Sequence, residues 1–288
     1  MEGFDSPFFM RTLHAGSFRL SLARPLIMGI VNTTPDSFSD GGKLASVQAA
    51  IDHGLHLAQL GADILDIGGE STRPGAELVP IEEEKRRVIP VIQALAAAGL
   101  VVSVDTRKPE VMQAALGVGA VMVNDVMALR APGALEVVAA SQAAICLMHM
   151  QGEPQTMQHT PEYGDVVKEV EQFLRERVAL CAAAGIGLER IVIDPGFGFG
   201  KTLAHNLALL KNLAALSVGE VPLMVGMSRK SMLGVLTGRA IDEREFASVA
   251  THVLALTQGV RLLRVHDVAA MRDALAVWNA VEETEHGT

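Results

Sequence analysis

The sequence predicts a single (β/α)8 barrel, the TIM-barrel architecture, spanning residues 1–288 as one domain. Three observations carry that prediction. Eight short apolar runs alternate strictly with helical patterns, and strands separated by helices imply a parallel sheet. Eight such units within 288 residues suit this barrel, which typically takes about 250 residues. Hydrophobic residues make up 49% of the chain while Tyr and Trp occur once each, the aliphatic composition of helices laid on a parallel sheet. A doubly wound open sheet is the alternative, but its glycine fingerprint for a dinucleotide is missing after the first strand.

Taken in order, residues 1–24 lack a period, include Gly3, Pro7 and Gly16, and read as a lead-in, either frayed or folded as a small entry hairpin. Ile27 to Val31 is the first buried strand and ends at Asn32, before a polar loop running to Gly42. Ser46 to Leu60 has one apolar face (Val47, Ile51, Leu55, Ala58) and Gly61 as its stop, so a helix is expected there. Ile64 to Gly68 is the second strand, followed by the loop Gly69 to Gly75. The helix from about Ile81 to Ala98 opens with Glu82, Glu83 and Glu84, which suit a helix N-terminus, and contains Pro90, which should kink it. Leu100 to Val104 leads into Asp105, and Pro109 opens a short helix. Val121 to Val123 leads into Asn124, and a short helix covers Gly133 to Ala140. Ala144 to Met148 precedes His149, a long loop to Gly164 and a helix over Asp165 to Ala184. After Ile191 to Asp194, a helix is expected over His205 to Leu216. Leu223 to Val225 precedes Gly226, helical turns over 231–237 and a helix from about Glu243 to before Gly259. Leu262 to Val265 ends at His266, Val268 to about Glu283 is the last helix, and 282–288 reads as a frayed tail.

Composition narrows the function classes. A net charge of −9 argues against a nucleic-acid footprint, so an anionic ligand must be held by a local cluster of basic side chains. Cys146 and Cys181 form neither a C-x-x-C unit nor a disulfide framework, and reduced thiols in a cytoplasmic protein are expected. No membrane span is expected, since no 18-residue apolar run lacks charges, and Met1 to Phe9 does not resemble a signal peptide. No spacing of His or Cys suggests zinc.

The densest stretch is Ile191 to Lys201, IVIDPGFGFGK. A β-branched strand ends at Asp194, Pro195 stops the ladder, and three alternate glycines let the backbone turn sharply or approach a ligand closely. Phe197 and Phe199 are flat apolar surfaces on that loop. It is not a P-loop, because Pro195 stands where that motif needs glycine. Singly, an Asp at a strand end is a helix cap, His266 a hydrogen-bonded wall residue and Arg229 a solvated charge. Closing a barrel, however, gathers Asp105, Asn124, Asp194 and His266 at the C-terminal face with Arg73, Lys230 and Arg264. Asp and Asn suit a ligand with alternating donors and acceptors, and Arg and Lys suit phosphate oxygens.

These residues lie in longer motifs: MGIVNTTPDSFSDGG (28–42), GGESTRPG (68–75), Val104-Asp105-Thr106, Asn124-Asp125, LMHMQG (147–152), DPGFGFGK (194–201), GMSRKS (226–231) and Arg264-Val265-His266-Asp267. In that order they resemble the bacterial dihydropteroate synthases over roughly residues 25–280, with Thr33 and Arg107 as departures where Val and Ser are commoner. The resemblance implies condensation of 6-hydroxymethyl-7,8-dihydropterin diphosphate with 4-aminobenzoate in folate synthesis. It implies a pterin site of Asp105, Asn124, Met148, Asp194, Phe199, Gly226, Lys230 and Arg264. It further implies Asn32, Arg73, Arg264 and His266 on the diphosphate, with Asn32 also on Mg²⁺, and Phe38, Thr72, Arg73, Pro74 and Ser231 around 4-aminobenzoate. Asp105, Lys230, Arg264, His266 and Arg73 are the implied catalytic set. Sulfonamide inhibition and a homodimer formed through the last helices are also implied. A pterin-binding methyl-transfer module of corrinoid systems and a non-catalytic homologue are the alternatives; the paired Ser-Thr-Arg-Pro and Ser-Arg-Lys-Ser motifs argue against the first.

Overall fold

The computed structural model describes residues 12–33, 42–71, 77–152, 157 and 160–284, with the side chains of the first helix from residue 47 onward. The chain opens with an antiparallel hairpin, β1 (Thr12–Ala15) and β2 (Phe18–Ser21), turning at Gly16. Eight parallel strands follow: β3 (Leu26–Asn32), β4 (Ile64–Gly68), β5 (Val102–Asp105), β6 (Met122–Asp125), β7 (Ala144–Met148), β8 (Ile191–Asp194), β9 (Met224–Val225) and β10 (Leu262–Val265). Helices α1 (Gly42–Gln59), α2 (Ile81–Ala97), α3 (Pro109–Gly117), α4 (Ala134–Ala139), α5 (Val166–Ala183) and α6 (Leu203–Lys211) each follow one strand, α7 (Ser231–Thr237) and α8 (Glu245–Leu256) follow β9, and α9 (Val268–Glu282) follows β10.

The strand order is β8-β7-β6-β5-β4-β3-β10-β9. A single bridge between Ile193 and Leu223 joins the two ends of that order, with the Ile193 amide donating to the Pro222 carbonyl at 3.0 Å. The sheet is therefore a nearly closed (β/α)8 barrel, and its thinnest seam lies between β8 and β9.

Strand periodicity divides the core. Ile27, Leu65, Val104, Val123, Ile145, Ile193 and Leu263 face outward into the layer shared with the helices. The alternate residues Met28, Ile64, Met122, Ala144, Cys146, Val192, Met224 and Leu262 face inward, where Leu13 and Ala15 of the hairpin pack on them. The hairpin thus stoppers the N-terminal end of the barrel. Two residues further along β4, β6, β8, β9 and β10 the same inward row becomes polar or open: Asp66, Asn124, Asp194, Gly226 and Arg264.

The differences from expectation are local. Helix α1 begins at Gly42 rather than Ser46. Helix α6 begins at Leu203, because the Thr202 hydroxyl accepts from the His205 amide (3.2 Å) in a reciprocal cap. It ends at Lys211, and a separate 3-10 turn covers Leu213–Leu216. Likewise a 3-10 turn, Ile241–Glu243, precedes α8. Helix α2 runs on through Pro90, which is exposed, so that water can stand in for the missing amide. No helix among the described residues is long and apolar enough to cross a membrane.

Candidate active site

The open end of the barrel holds a pocket that opens to solvent. Asp105, Asn124, Met148, Asp194, Phe199, Gly226, Lys230 and Arg264 all line it, together with Val126, Gly196 and Phe197. Its polar groups come from β5, β6, β8 and β10, each placed by the inward-facing register of its strand, and from Lys230 in the turn after β9.

The floor is a charged network. The Arg264 guanidinium donates from Nε to Asp66 Oδ2 and from Nη2 to Asp105 Oδ2, each at 2.7 Å. Asn124 Nδ2 donates to the same Asp66 Oδ2 at 2.8 Å, while Asp66 Oδ1, fully buried, has no hydrogen-bond partner. Sequence reasoning missed Asp66. Its signal was a lone carboxylate inside an otherwise apolar strand, which a barrel interior tolerates only when a cation answers it. Burial pushes the Asp105 carboxyl up to about 7; Arg264 opposes that rise, and the charges of Asp66 and Glu84 add to it. Two carboxylates around one guanidinium leave the floor rich in acceptors.

Asp194 turns the chain out of β8. Its Oδ1 accepts from the Gly196 amide at 2.7 Å, and burial raises its carboxyl above the usual range. Gly196, Gly198 and Gly200 all have positive φ (69°, 79° and 60°). They also allow close approach: a Cβ on Gly196 would stand 2.0 Å from the His149 carbonyl oxygen, and one on Gly200 would stand 2.6 Å from that of Gln151. The loop is therefore pressed against the segment after β7. Phe199 faces the pocket, with Lys230 Nζ 4.1 Å from its ring centroid, a cation–π contact.

Lys230 hangs from a strained turn. Arg229 has φ 58°, unusual for a side chain of that size. The Ser248 hydroxyl accepts from its amide (3.0 Å), Arg244 donates to its carbonyl (3.1 Å), and its guanidinium pairs with Asp267. Arg229 is thus an ion-paired brace beside Lys230 rather than a solvated charge. His266 lies beyond β10, its Nδ1 3.0 Å from Ser228 Oγ. Burial, with help from Arg264 and Arg229, lowers it to about 3, so its imidazole is neutral. Arg107 reaches Glu70 (3.1 Å).

Lys201 was also missed, read in the sequence only as a failed phosphate-loop lysine. It is 3% exposed, and burial lowers its pKa to about 7, with Asp194 opposing and Lys230 reinforcing that fall. Asn32, Ser231 and His266 lie at this end of the barrel but are not among the lining residues. Phe38, Thr72, Arg73 and Pro74 lie outside the described residues. Among the described residues no group of three or more His, Cys, Asp or Glu side chains is arranged to hold a metal.

Comparison with known proteins agrees with this geometry. Residues 28–266 match the family described as pterin binding enzyme. The chain is 49% identical over 269 residues to a dihydropteroate synthase of Escherichia coli (strain K12), spanning 93% of this chain and 95% of the relative. Among solved structures it resembles a Xanthomonas albilineans dihydropteroate synthase with 4-aminobenzoic acid, at a TM-score of 0.90 and 55% identity over 96% of this chain and 99% of that one. A Burkholderia cenocepacia dihydropteroate synthase complexed with 7,8-dihydropteroate gives a TM-score of 0.88 and 47% identity, over 95% and 97% of the two chains.

Proposed function

Because the chain belongs to the pterin-binding enzyme family, and within it to the dihydropteroate synthases, we propose that the pocket at the barrel mouth holds the pterin and that the diphosphate and 4-aminobenzoate are gathered above it. The reaction condenses 6-hydroxymethyl-7,8-dihydropterin diphosphate with 4-aminobenzoate to 7,8-dihydropteroate and pyrophosphate. The methylene carbon–oxygen bond breaks, pyrophosphate leaves with the electron pair, and the amine nitrogen bonds to that carbon and sheds a proton.

The observation that carries the assignment is the pocket's composition: carboxylates and an amide on the floor, and an ammonium over an aromatic ring at one wall. A pterin's amino and ring N–H groups face carboxylate oxygens of Asp105 and Asp194, and Asn124 supplies an amide. Its flat ring rests against Phe199 and Met148. Positive charge that develops on the methylene as pyrophosphate departs is favoured by the two buried carboxylates. Lys230 and Arg264 take up negative charge on the leaving side, and His266, with Arg73, meets the diphosphate oxygens.

Asn32 suits Mg²⁺ in one respect. Mg²⁺ in phosphoryl sites commonly takes one or two protein oxygens and fills its shell with phosphate and water, and a half-buried amide at the end of β3 supplies such an oxygen. When bound, the ion neutralises diphosphate charge. We place 4-aminobenzoate among Phe38, Thr72, Arg73, Pro74 and Ser231, and sulfonamides, which share its ring and amine, compete there. Helices α7, α8 and α9 leave Val235, Leu236, Phe246, Leu254, Val277 and Val281 exposed, and a homodimer would cover these apolar side chains.

The test is pyrophosphate release with both substrates, with and without Mg²⁺. Release that requires 4-aminobenzoate and the metal is expected. Release independent of 4-aminobenzoate would leave a pterin diphosphatase, and no release with both substrates and the metal present would leave a binding protein.

A further inference from the structure

We infer that Lys201 is a positioning residue for the condensation: from outside the pocket it ties the loop after β8 to the segment after β7, and so fixes the Phe199 wall of the pterin site. The inference rests on the assignment of this pocket to the pterin.

Lys201 Nζ donates to the carbonyls of Gly196 (3.0 Å) and Phe199 (2.9 Å) and to His149 Nδ1 (2.9 Å), with the His149 carbonyl at 3.4 Å. A buried ammonium is costly unless its three N–H groups are answered. Here the acceptors come from two chain segments and are brought together only when the two meet. His149 is built to be one of them. Burial and the neighbouring lysine lower its pKa to about 2, so the imidazole stays neutral, and in the tautomer with the proton on Nε2 it is Nδ1 that accepts from the Lys201 ammonium. Phe173, edge-on at 4.9 Å between ring centroids, fixes the imidazole's orientation.

The same two segments touch backbone to backbone at Gly196 and Gly200, where no Cβ fits. Lys201 follows Gly200 directly and holds the carbonyl of Phe199, whose ring faces Lys230. A packed methionine would fill its volume at lower desolvation cost. What the ammonium adds is direction: it grips the Phe199 carbonyl and leaves the ring one place to point. Lys201 does not line the pocket, so its influence on the pterin must pass through Phe199.

A double-mutant cycle tests this, read by calorimetric titration of the pterin diphosphate into the whole protein without 4-aminobenzoate. Lys201→Met is expected to weaken binding by about fivefold or more, as is Phe199→Ala, while the double variant binds within about twofold of Phe199→Ala alone. Wild-type affinity in Lys201→Met, or losses that multiply in the double variant, would overturn the inference. Wild-type affinity in Phe199→Ala would overturn the pocket assignment and this inference with it. If Lys201→Met does not fold, the comparison moves to His149. Replacement by Leu removes the acceptor and is expected to weaken the pterin, whereas Asn, whose Oδ1 stands near the position of Nδ1, restores it to within about twofold of wild type. Equal affinities in the Leu and Asn variants would overturn the inference.

Discussion

At Asp194 one carboxylate oxygen is engaged by the Gly196 amide, and the other is left for the pocket. Asp194→Asn keeps an oxygen for that amide but presents a donor where the pterin needs an acceptor. Losing a charged hydrogen bond costs about 1.5–3 kcal/mol, so calorimetry should show pterin diphosphate binding weakened by about tenfold or more, with the melting temperature little changed. Arg264 behaves differently. The resemblance implies contacts to pterin and diphosphate, and in addition two of its nitrogens hold Asp66 and Asp105. Arg264→Ala would strip a buried carboxylate of its cation, and denaturant titration should show a loss of about 3–5 kcal/mol. Asp105 ties stability to pH. Its pKa, raised from 3.8 to about 7, makes the folded chain bind more protons than the unfolded chain between those values. Its contribution to stability therefore falls as pH rises through that window. Lys201, lowered from 10.5 to about 7, makes stability rise with pH above about 7. Urea midpoints at pH 5 and pH 7 should differ less in Asp105→Asn than in the parent; an unchanged difference would remove Asp105 as the source.

Elements explain what was legible in the sequence and what was not. Strand ends were legible because a β-branched run stopped by Asp-Pro, Asn-Asp or His-Asp has a period and a break, and those breaks mark the polar rim. The three glycines at 196, 198 and 200 were legible as close approach: Gly196 and Gly200 approach the His149 and Gln151 backbones, and Gly198 the Lys230 side chain. Gly196→Ala should therefore abolish pterin binding and lower the melting temperature, because φ is positive there and the new Cβ meets backbone oxygen rather than a movable side chain. Asp66 and Lys201 were not legible, because a single charge in an apolar run announces neither its burial nor its partners. Those partners lie far off in the chain: Arg264 is 198 residues from Asp66, and His149 is 52 from Lys201. Helix starts were misjudged where a side-chain cap decided them, as Thr202 does for α6.

The whole molecule is a vessel with one open end. The hairpin stoppers the bottom with Leu13 and Ala15, so chemistry is confined to the rim and the lower core answers only to packing. The outer wall is less uniform: Phe246 on α8 is 85% exposed among other bare apolar side chains of α7 and α9. If two copies join there, Phe246→Glu should yield monomers in sedimentation while leaving the pterin pocket of each intact. Sedimentation showing wild-type mass in Phe246→Glu would place any interface elsewhere.

The meeting of β8 and β9 has a consequence for how such a vessel could breathe. Around most of the ring, neighbouring staves are laced over several residues; here one stitch at Ile193 and Leu223 does the work. The staves on either side carry, at their tips, Asp194 with Phe199 and Gly226 with Lys230, which are adjoining jaws of the pocket. Any parting of that join spreads the jaws, and any guest spanning them clamps it shut. The Ile193 amide is therefore the gauge of occupancy: its hydrogen exchange should slow more than that of Val104, on the far side of the barrel, when the pterin diphosphate binds.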